Sequence, residues 1–202
     1  MASMLSRLII FPTPPSMIVP VMSVVSLVAI AGLGVSEILG KHLQYSKFWN
    51  LNSAKSSRKQ IQLSSRTGML VLYVPAFLSG VASFVLYPNH DLRLFLVKAT
   101  LTIHFFKRVI EVLCVHKYST SGVVLDSAIL ISSSYFSATS TMIYGQYLTQ
   151  GFPEPQLDLK YPGILLFLLG TFGNFYHHQV LASLRTNDDK NTRFQRVVYL
   201  AW

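Results

Sequence analysis

Charged side chains are scarce in this chain: they make up 12% of its 202 residues, with 17 Lys and Arg against 8 Asp and Glu. A soluble domain carries roughly 25% charged residues, so the soluble globular class is disfavoured. Hydrophobic residues reach 51% and the mean hydropathy is +0.43, which indicates an integral membrane protein. The net charge of +9 does not predict a nucleic-acid partner, because the basic residues cluster between hydrophobic segments, as orientation against a membrane requires.

Cysteine is almost absent too. The chain has one, Cys114, which excludes an internal disulfide framework. Its apolar surroundings predict a small buried hydrophobe. Metal ligands are also sparse, since His177 and His178 point to different faces of a helix and no carboxylate or cysteine stands at ligand spacing. No metal ion is therefore expected, and neither an internal repeat nor a domain linker is visible.

Long hydrophobic runs are what the chain has in abundance. Five segments approach the roughly 20 apolar residues that a bilayer requires. They are Met17–Leu39, Thr67–Tyr87, Leu92–Val115, Val123–Leu148 and Tyr161–Leu184. The first is too long for a secretory signal, follows a proline-rich stretch and lacks a clear cleavage site, so we interpret it as an anchor. The expected fold is an all-α membrane bundle of about five transmembrane helices.

The loop charges predict an orientation for this bundle. The loop from Gly40 to Arg66 holds six basic residues and no acid, whereas the loop at Thr149–Lys160 holds Glu154 and Asp158. By the positive-inside rule the first loop is cytosolic and the second lumenal, so the N-terminus is lumenal and the C-terminus cytosolic. The polar ends of the third and fifth helices then meet at the cytosolic face, where a soluble cofactor could be held.

Three charges stand close together in the third hydrophobic segment, at Lys107, Arg108 and Glu111. Each costs about 2.5–3.5 kcal/mol at a membrane centre on insertion scales, so an uncompensated trio would be selected against. With His104 they fall at i, i+3, i+4 and i+7, on one face of one helix, and Glu111 can reach either cation within a turn. We expect this stripe, supported by His104 and His116, to face a bundle interior or a water-filled cavity.

A second polar stripe lies on the fifth segment. Asn174, His178, Leu181 and Arg185 fall at i, i+4, i+7 and i+11, again on one face. Hydrogen bonding between helices would explain Asn174 by itself. Two stripes that end at the same face of the membrane favour a functional site.

These two segments resemble the steroid 5α-reductase family, which includes trans-2-enoyl-CoA reductases and polyprenol reductases. The residues from His104 to Ser119 are similar to its H-x-x-K-R-x-x-E-x-L-x-V-H-x-x-S motif, and those from Gly173 to Arg185 to its G-N-x-x-x-H...L-R motif. Gly40–Lys41–His42 is similar to a weaker family signature. The resemblance runs from Met17 to Arg185 and is specific, because two motifs occur in order with family-like spacing. The chain as a whole looks most like the plant members.

The resemblance implies an NADPH-dependent reductase of the endoplasmic reticulum membrane. Such an enzyme transfers hydride to a C=C bond conjugated with a carbonyl, while a protein acid stabilises the developing enolate oxygen. By analogy, Arg108, Asn174, His178 and Arg185 would line the NADPH pocket. The substrate would be a lipid, of the enoyl-CoA or the 4-ene-3-ketosteroid class.

Two departures from the steroid-reducing branch concern its carbonyl-binding pair. That branch has Glu in a Glu-x-P-x-F setting, whereas this chain has Tyr73 at the start of the corresponding segment. It also has Tyr after the His of its next motif, where this chain has Phe105. The charged pattern around Lys107–Arg108 looks closer to the enoyl-CoA branch. Tyr73 remains a candidate donor of a hydrogen bond to the substrate carbonyl.

The resemblance ends at Arg185. Residues 1–185 are interpreted as a membrane reductase domain that is incomplete at its C-terminal end, and residues 186–202 as a non-homologous cytosolic tail. Family members continue with a segment like K-I-P-x-G-G-L-F. One allowed codon set for Thr192–Trp202, read in a shifted frame, encodes Lys-Ile-Pro-Lys-Gly-Gly-Leu-Phe-Gly-Met. The tail is therefore compatible with a frame-shifted or alternatively spliced product of impaired activity.

A non-enzymatic membrane protein is the alternative. It would be a transporter-like bundle or a truncated partner of a full-length reductase. Transporters more often show inverted repeats and broken helices near the midplane, and the sequence shows neither.

Overall fold

Five α-helices make up most of the residues that this computed structural model describes, which are 16–39, 61–88, 91–116, 122–153 and 157–187. They are α1 (Ile18–Ile38), α2 (Ser65–Leu86), α3 (Leu92–Ile110), α4 (Leu125–Leu148) and α5 (Lys160–Asn187). Each coincides with a predicted hydrophobic segment, so the all-α prediction is confirmed for these residues. Most of the basic loop, the tail from residue 188 and the side chains of Glu37 and residues 184–187 lie outside the described residues.

Two helices are long and apolar enough to cross a membrane, at Ile18–Ser36 within α1 and Ser65–Leu86 in α2. The other three carry more polar side chains: α3 includes Lys98, Lys107 and Arg108, and α4 is rich in serine and threonine. Large apolar side chains cover the outside of α1, where Leu27 is 68% exposed and Ile30 is 69% exposed. Length and composition thus make α1 and α2 candidate membrane spans.

The core forms where α2 packs between α3 and α4. Its centre consists of buried side chains from these helices and from the turn after α3, namely Leu72, Tyr73, Ala76, Phe105, Val112 and Ala128. Helix α2 approaches α3 closely at Gly80, because a Cβ atom there would lie 2.6 Å from Thr102 Oγ1. A side chain at this position would force the two helices apart.

A short strand pair, absent from the sequence prediction, joins the beginnings of α2 and α4. Strand β1 (Gln62–Leu63) pairs antiparallel with β2 (Val123–Val124), with Leu63 opposite Val123. The pairing holds Val123 and Val124 in extended backbone, so α4 begins at Leu125 and the prediction of helix from Val123 is wrong by two residues. β-branched valines suit such a conformation.

The end of α3 widens into a π-helical turn, Glu111–Val115. The backbone N–H of His116 donates to the carbonyl oxygen of Glu111 at 2.8 Å, which closes the wider ring. Arg66, at the start of α2, donates to the carbonyl oxygen of Leu113. The π-helical turn, the strand pair and the beginnings of α2 and α4 therefore lie at one end of the bundle, called the strand end below.

At the opposite end, two cations hold the helices together. Lys98 is fully buried and donates to the carbonyl oxygens of Tyr87 at 2.6 Å and Ser83 at 3.4 Å, so it caps the C-terminal end of α2. Arg93 of α3 pairs with Asp158, just before α5, at 3.0 Å. The backbone N–H of Lys160 donates to the same carboxylate at 3.0 Å. We call this group of Arg93, Asp158 and Lys160 the far-end clasp.

Candidate functional site

The charged stripe of α3 surrounds a buried carboxylate. Glu111 is fully buried, and each of its carboxylate oxygens pairs with a different cation. Oε1 lies 3.0 Å from Lys107 Nζ, and Oε2 lies 3.0 Å from Arg108 Nη1. The pairing compensates the burial of the carboxylate, which would be strongly destabilising without partners. Two cations around one anion leave a surplus positive charge in the group.

The polar stripe of α5 contacts this group directly. Lys107 Nζ donates to Asn174 Oδ1 at 2.6 Å, and Arg108 Nη1 donates to the same oxygen at 3.4 Å. Arg108 Nη1 also donates to His178 Nε2 at 2.7 Å. Residues that are 66 to 70 positions apart in the chain are thus joined through their side chains. We call these five residues, Lys107, Arg108, Glu111, Asn174 and His178, the polar cluster.

The hydrogen bonds fix the protonation of two histidines. Arg108 is always protonated and can only donate, so His178 Nε2 accepts and the proton of that imidazole is on Nδ1. Nδ1 of His178 lies 3.2 Å from His116 Nε2, which therefore accepts. Both imidazoles are neutral in this arrangement, and His116 ties the π-helical turn to α5.

Tyr73 of α2 also contacts the polar cluster. Its side chain is buried, and Arg108 Nη2 donates to its hydroxyl oxygen at 3.4 Å. The guanidinium carbon of Arg108 lies 5.2 Å from the centre of the Tyr73 ring. The Tyr73 ring also stacks on Tyr135 of α4, with ring centroids 5.9 Å apart and planes 15° apart. Tyr73 therefore links the polar cluster to the interior of the bundle.

Two other predicted site residues stand apart from these contacts. His104 is exposed one turn before Arg108, and its ring meets Phe105 edge-on with centroids 5.1 Å apart. Arg185 lies on α5 about two turns after His178, with its side chain outside the described residues.

Glu111, His116 and His178 bring three potential metal ligands within 4.8 Å of one another. Sequence spacing did not reveal this group, because its members come from α5 and from the two ends of the π-helical turn. Both oxygens of Glu111 already pair with cations, and His178 Nε2 accepts from Arg108. A metal ion here would displace these bonds and face two positive charges, so the donor set does not suit a metal centre.

Cys114 is exposed in the π-helical turn, so the prediction of a buried hydrophobe is wrong. A regular helix was assumed, whereas the turn directs this side chain outward while the preceding Val112 is buried.

An apolar cavity of about 320 Å³ lies between α3, α4 and α5. Its walls include Leu101, His104, Phe105, Tyr135, Ala138, Met142 and Phe167. Sequence reasoning missed Tyr135, which stands among small serine and threonine residues. Two of these serines join helices: Ser132 Oγ donates to the carbonyl oxygen of Val71 at 2.7 Å, and Ser140 Oγ lies 2.8 Å from Ser79 Oγ. The adjacent aromatic residues Tyr135 and Phe136 among small residues were the available signal.

Comparison of the chain with protein-family models, curated proteins and solved structures finds no match.

Proposed function

We propose that this chain is an NADPH-dependent membrane reductase of a carbonyl-conjugated C=C bond in a lipid, of the enoyl-CoA or 4-ene-3-ketosteroid class, and related to the steroid 5α-reductase family. The observation that carries the proposal is the polar cluster. The two motif segments that resemble this family are distant in sequence, yet Lys107 and Arg108 of the first bond Asn174 and His178 of the second. Motif residues of a shared pocket are expected to converge in this way.

The donor set suits a phosphate-bearing cofactor. The polar cluster has a surplus positive charge, and Arg108 offers a planar fork of donors that matches phosphate geometry. In the proposal Arg108, Asn174, His178 and Arg185 hold NADPH, and Lys107 adds to the positive potential. NADPH, when bound, supplies the hydride.

The chain's own residues would orient and polarise the substrate. The Tyr73 hydroxyl accepts from Arg108, so its proton is free to point at a substrate carbonyl oxygen. A donor preorganised for developing negative charge lowers the barrier most when it is shielded from water, and Tyr73 is 4% exposed. Glu111 would act through its neighbours, by keeping Lys107 and Arg108 in place.

The proposed location is the endoplasmic reticulum membrane, with the polar cluster near the cytosolic face, the N-terminus lumenal and the C-terminus cytosolic. This orientation rests on the basic loop between α1 and α2. It gives NADPH access to the polar cluster from the cytosol and leaves the lipid substrate to enter from the bilayer.

The same contacts also favour a second candidate. The polar cluster attaches α5 to α3, which is what interhelical hydrogen bonds do in membrane proteins without catalysis. In that case the chain is a non-enzymatic membrane protein, such as a partner of a full-length reductase.

NADPH binding separates the two candidates. The 202-residue chain in lipid nanodiscs is titrated with NADPH, and the nucleotide fluorescence gives the affinity. Arg108→Gln should weaken binding at least tenfold. The matched control is Arg93→Gln, which removes an arginine from the same helix at the far-end clasp and should leave the affinity unchanged.

If Arg108→Gln and Arg93→Gln bind NADPH with the same affinity as the parent chain, the polar cluster does not bind NADPH and serves only to pack the helices. No binding by the folded parent chain would favour the non-enzymatic candidate. Binding would be followed by NADPH oxidation assays with enoyl-CoA and 4-ene-3-ketosteroid substrates.

A further inference from the structure

We infer that the apolar cavity between α3, α4 and α5 binds an unbranched acyl chain and holds the hydrocarbon tail of the lipid substrate. The identity of the ligand as substrate rests on the proposed function, whereas the binding of a chain rests on the cavity itself. The inference favours the enoyl-CoA class, because its substrates have a flexible tail.

The cavity has the size and the chemistry of an apolar subsite. Its volume of about 320 Å³ lies at the lower end of the roughly 300–1,000 Å³ of ligand pockets. Leu101, Ala138, Met142 and Phe167 give it walls of hydrocarbon. The Thr100 hydroxyl is occupied by its own helix, since it donates to the carbonyl oxygen of Leu96 at 2.7 Å. An occupant therefore gains from apolar burial and needs few polar groups.

The cavity opens at the side of the bundle. Met142, on its α4 wall, is 56% exposed, and Ala138 one turn earlier is exposed as well. Phe167 provides the wall from α5. In a bilayer such a mouth faces hydrocarbon, so an acyl chain enters without crossing water and a longer chain can extend beyond the mouth.

Aromatic rings connect the inner end of the cavity to the polar cluster. Tyr135 and Phe105 line the cavity with ring centroids 5.7 Å apart. The Tyr135 ring stacks on Tyr73, and Tyr73 accepts a hydrogen bond from Arg108. A chain that fills the cavity thus directs its inner end toward Tyr73, where the proposed function places the carbonyl.

Photochemical cross-linking tests the subsite. The protein in nanodiscs is irradiated with a hexadecenoyl-CoA that carries a diazirine near the end of its chain, and the labelled peptides are identified by mass spectrometry. Labelling is expected within α4 around Ala138 and Met142 or in α5 around Phe167. Ala138→Trp fills the mouth and should reduce this labelling at least fivefold. Ala82→Trp places the same side chain on the exposed surface of α2, away from the cavity, and should leave it unchanged.

A second probe distinguishes the sources of the chain. A phosphatidylcholine with the same diazirine chain is built into the nanodisc, and unlabelled enoyl-CoA is added as competitor. If unlabelled enoyl-CoA suppresses the labelling by the enoyl-CoA probe, the cavity is a substrate site. Equal labelling by the phospholipid, without competition, would show that a bilayer tail occupies the cavity and would overturn the substrate assignment. Labelling that Ala138→Trp leaves intact would overturn the subsite itself.

The NADPH titration on the same samples separates this inference from the proposed function. Ala138→Trp should keep the parent affinity for NADPH. Competed acyl labelling by a chain that binds no NADPH would support the acyl site and reject the reductase. NADPH binding without acyl labelling of the cavity would support the reductase and reject the acyl site.

Discussion

Glu111 carries a negative charge in a place where water does not reach it, and two cations depend on it. Its spacing from Lys107 and Arg108 predicts an ion pair with either cation, because residues three and four apart share a helix face, and the structure contains both pairs. For Asn174 and His178 the sequence predicts only that they share a polar face of α5, and not which residues they contact. Their pairing with Lys107 and Arg108 depends on how α5 packs, which spacing within one helix does not specify.

Replacing Glu111 with Gln should destabilise the fold markedly. Gln keeps the shape but leaves Lys107 and Arg108 without an anion, and breaking a buried ion pair costs roughly 3–5 kcal/mol. The free energy of unfolding is measured by denaturation in mixed micelles. Asp126→Asn, at the exposed start of α4, should change it by less than about 1 kcal/mol. Equal stability of the two variants would contradict a structural dependence on Glu111.

Replacing Tyr73 with Phe should abolish turnover and spare NADPH binding. The bond that the Tyr73 hydroxyl accepts is long, at 3.4 Å, so its loss leaves the fold intact. In the proposed function the lost donor would serve only the substrate carbonyl. The measurement is NADPH oxidation with enoyl-CoA, beside the NADPH titration. Tyr144→Phe, a tyrosine of α4 that packs on Tyr87, is the matched control and should stay active. Unchanged turnover in Tyr73→Phe would remove Tyr73 from the mechanism.

Among the elements, the helices were predictable and their junctions were not. Runs of apolar residues placed the ends of the five helices to within three residues, except that the predicted end of α3 includes the π-helical turn, because hydrophobic length is visible in sequence. The strand pair has two residues on each side, too few to show an alternating pattern. The π-helical turn is a change of hydrogen-bond register, and composition does not record it. That turn connects Glu111 to His116, so the contact of His116 with His178 was not predicted, although both residues were predicted site residues.

The far-end clasp should loosen in acid. The backbone N–H of Lys160 donates to Asp158 and, together with the charges of Lys160 and Arg93, holds the pKa of this carboxyl below its usual range. A depressed pKa means that the clasp stabilises the fold above the ordinary pKa of about 3.9 and loses this effect as pH falls through the folded value. The Lys160 amide resonance, followed by NMR against pH, should therefore titrate below that ordinary value. A midpoint at or above it would contradict the clasp, and Asp158→Asn should abolish the titration.

For the molecule as a whole, the strand end is predicted to face the cytosol, and the single cysteine provides the test. Cys114 is exposed at that end, so a membrane-impermeant maleimide should label it in sealed microsomes without permeabilisation. In a Cys114→Ser background, Leu157→Cys places a thiol on the exposed segment before α5, at the far end, and should react only after permeabilisation.

The physical reason for this expected pattern is the basic loop before α2, which the positive-inside rule keeps in the cytosol together with the end of α3. The opposite pattern of labelling would invert the orientation and would place the polar cluster near the lumen, away from cytosolic NADPH. Labelling of both thiols in intact microsomes would show that α3 and α5 do not cross the membrane.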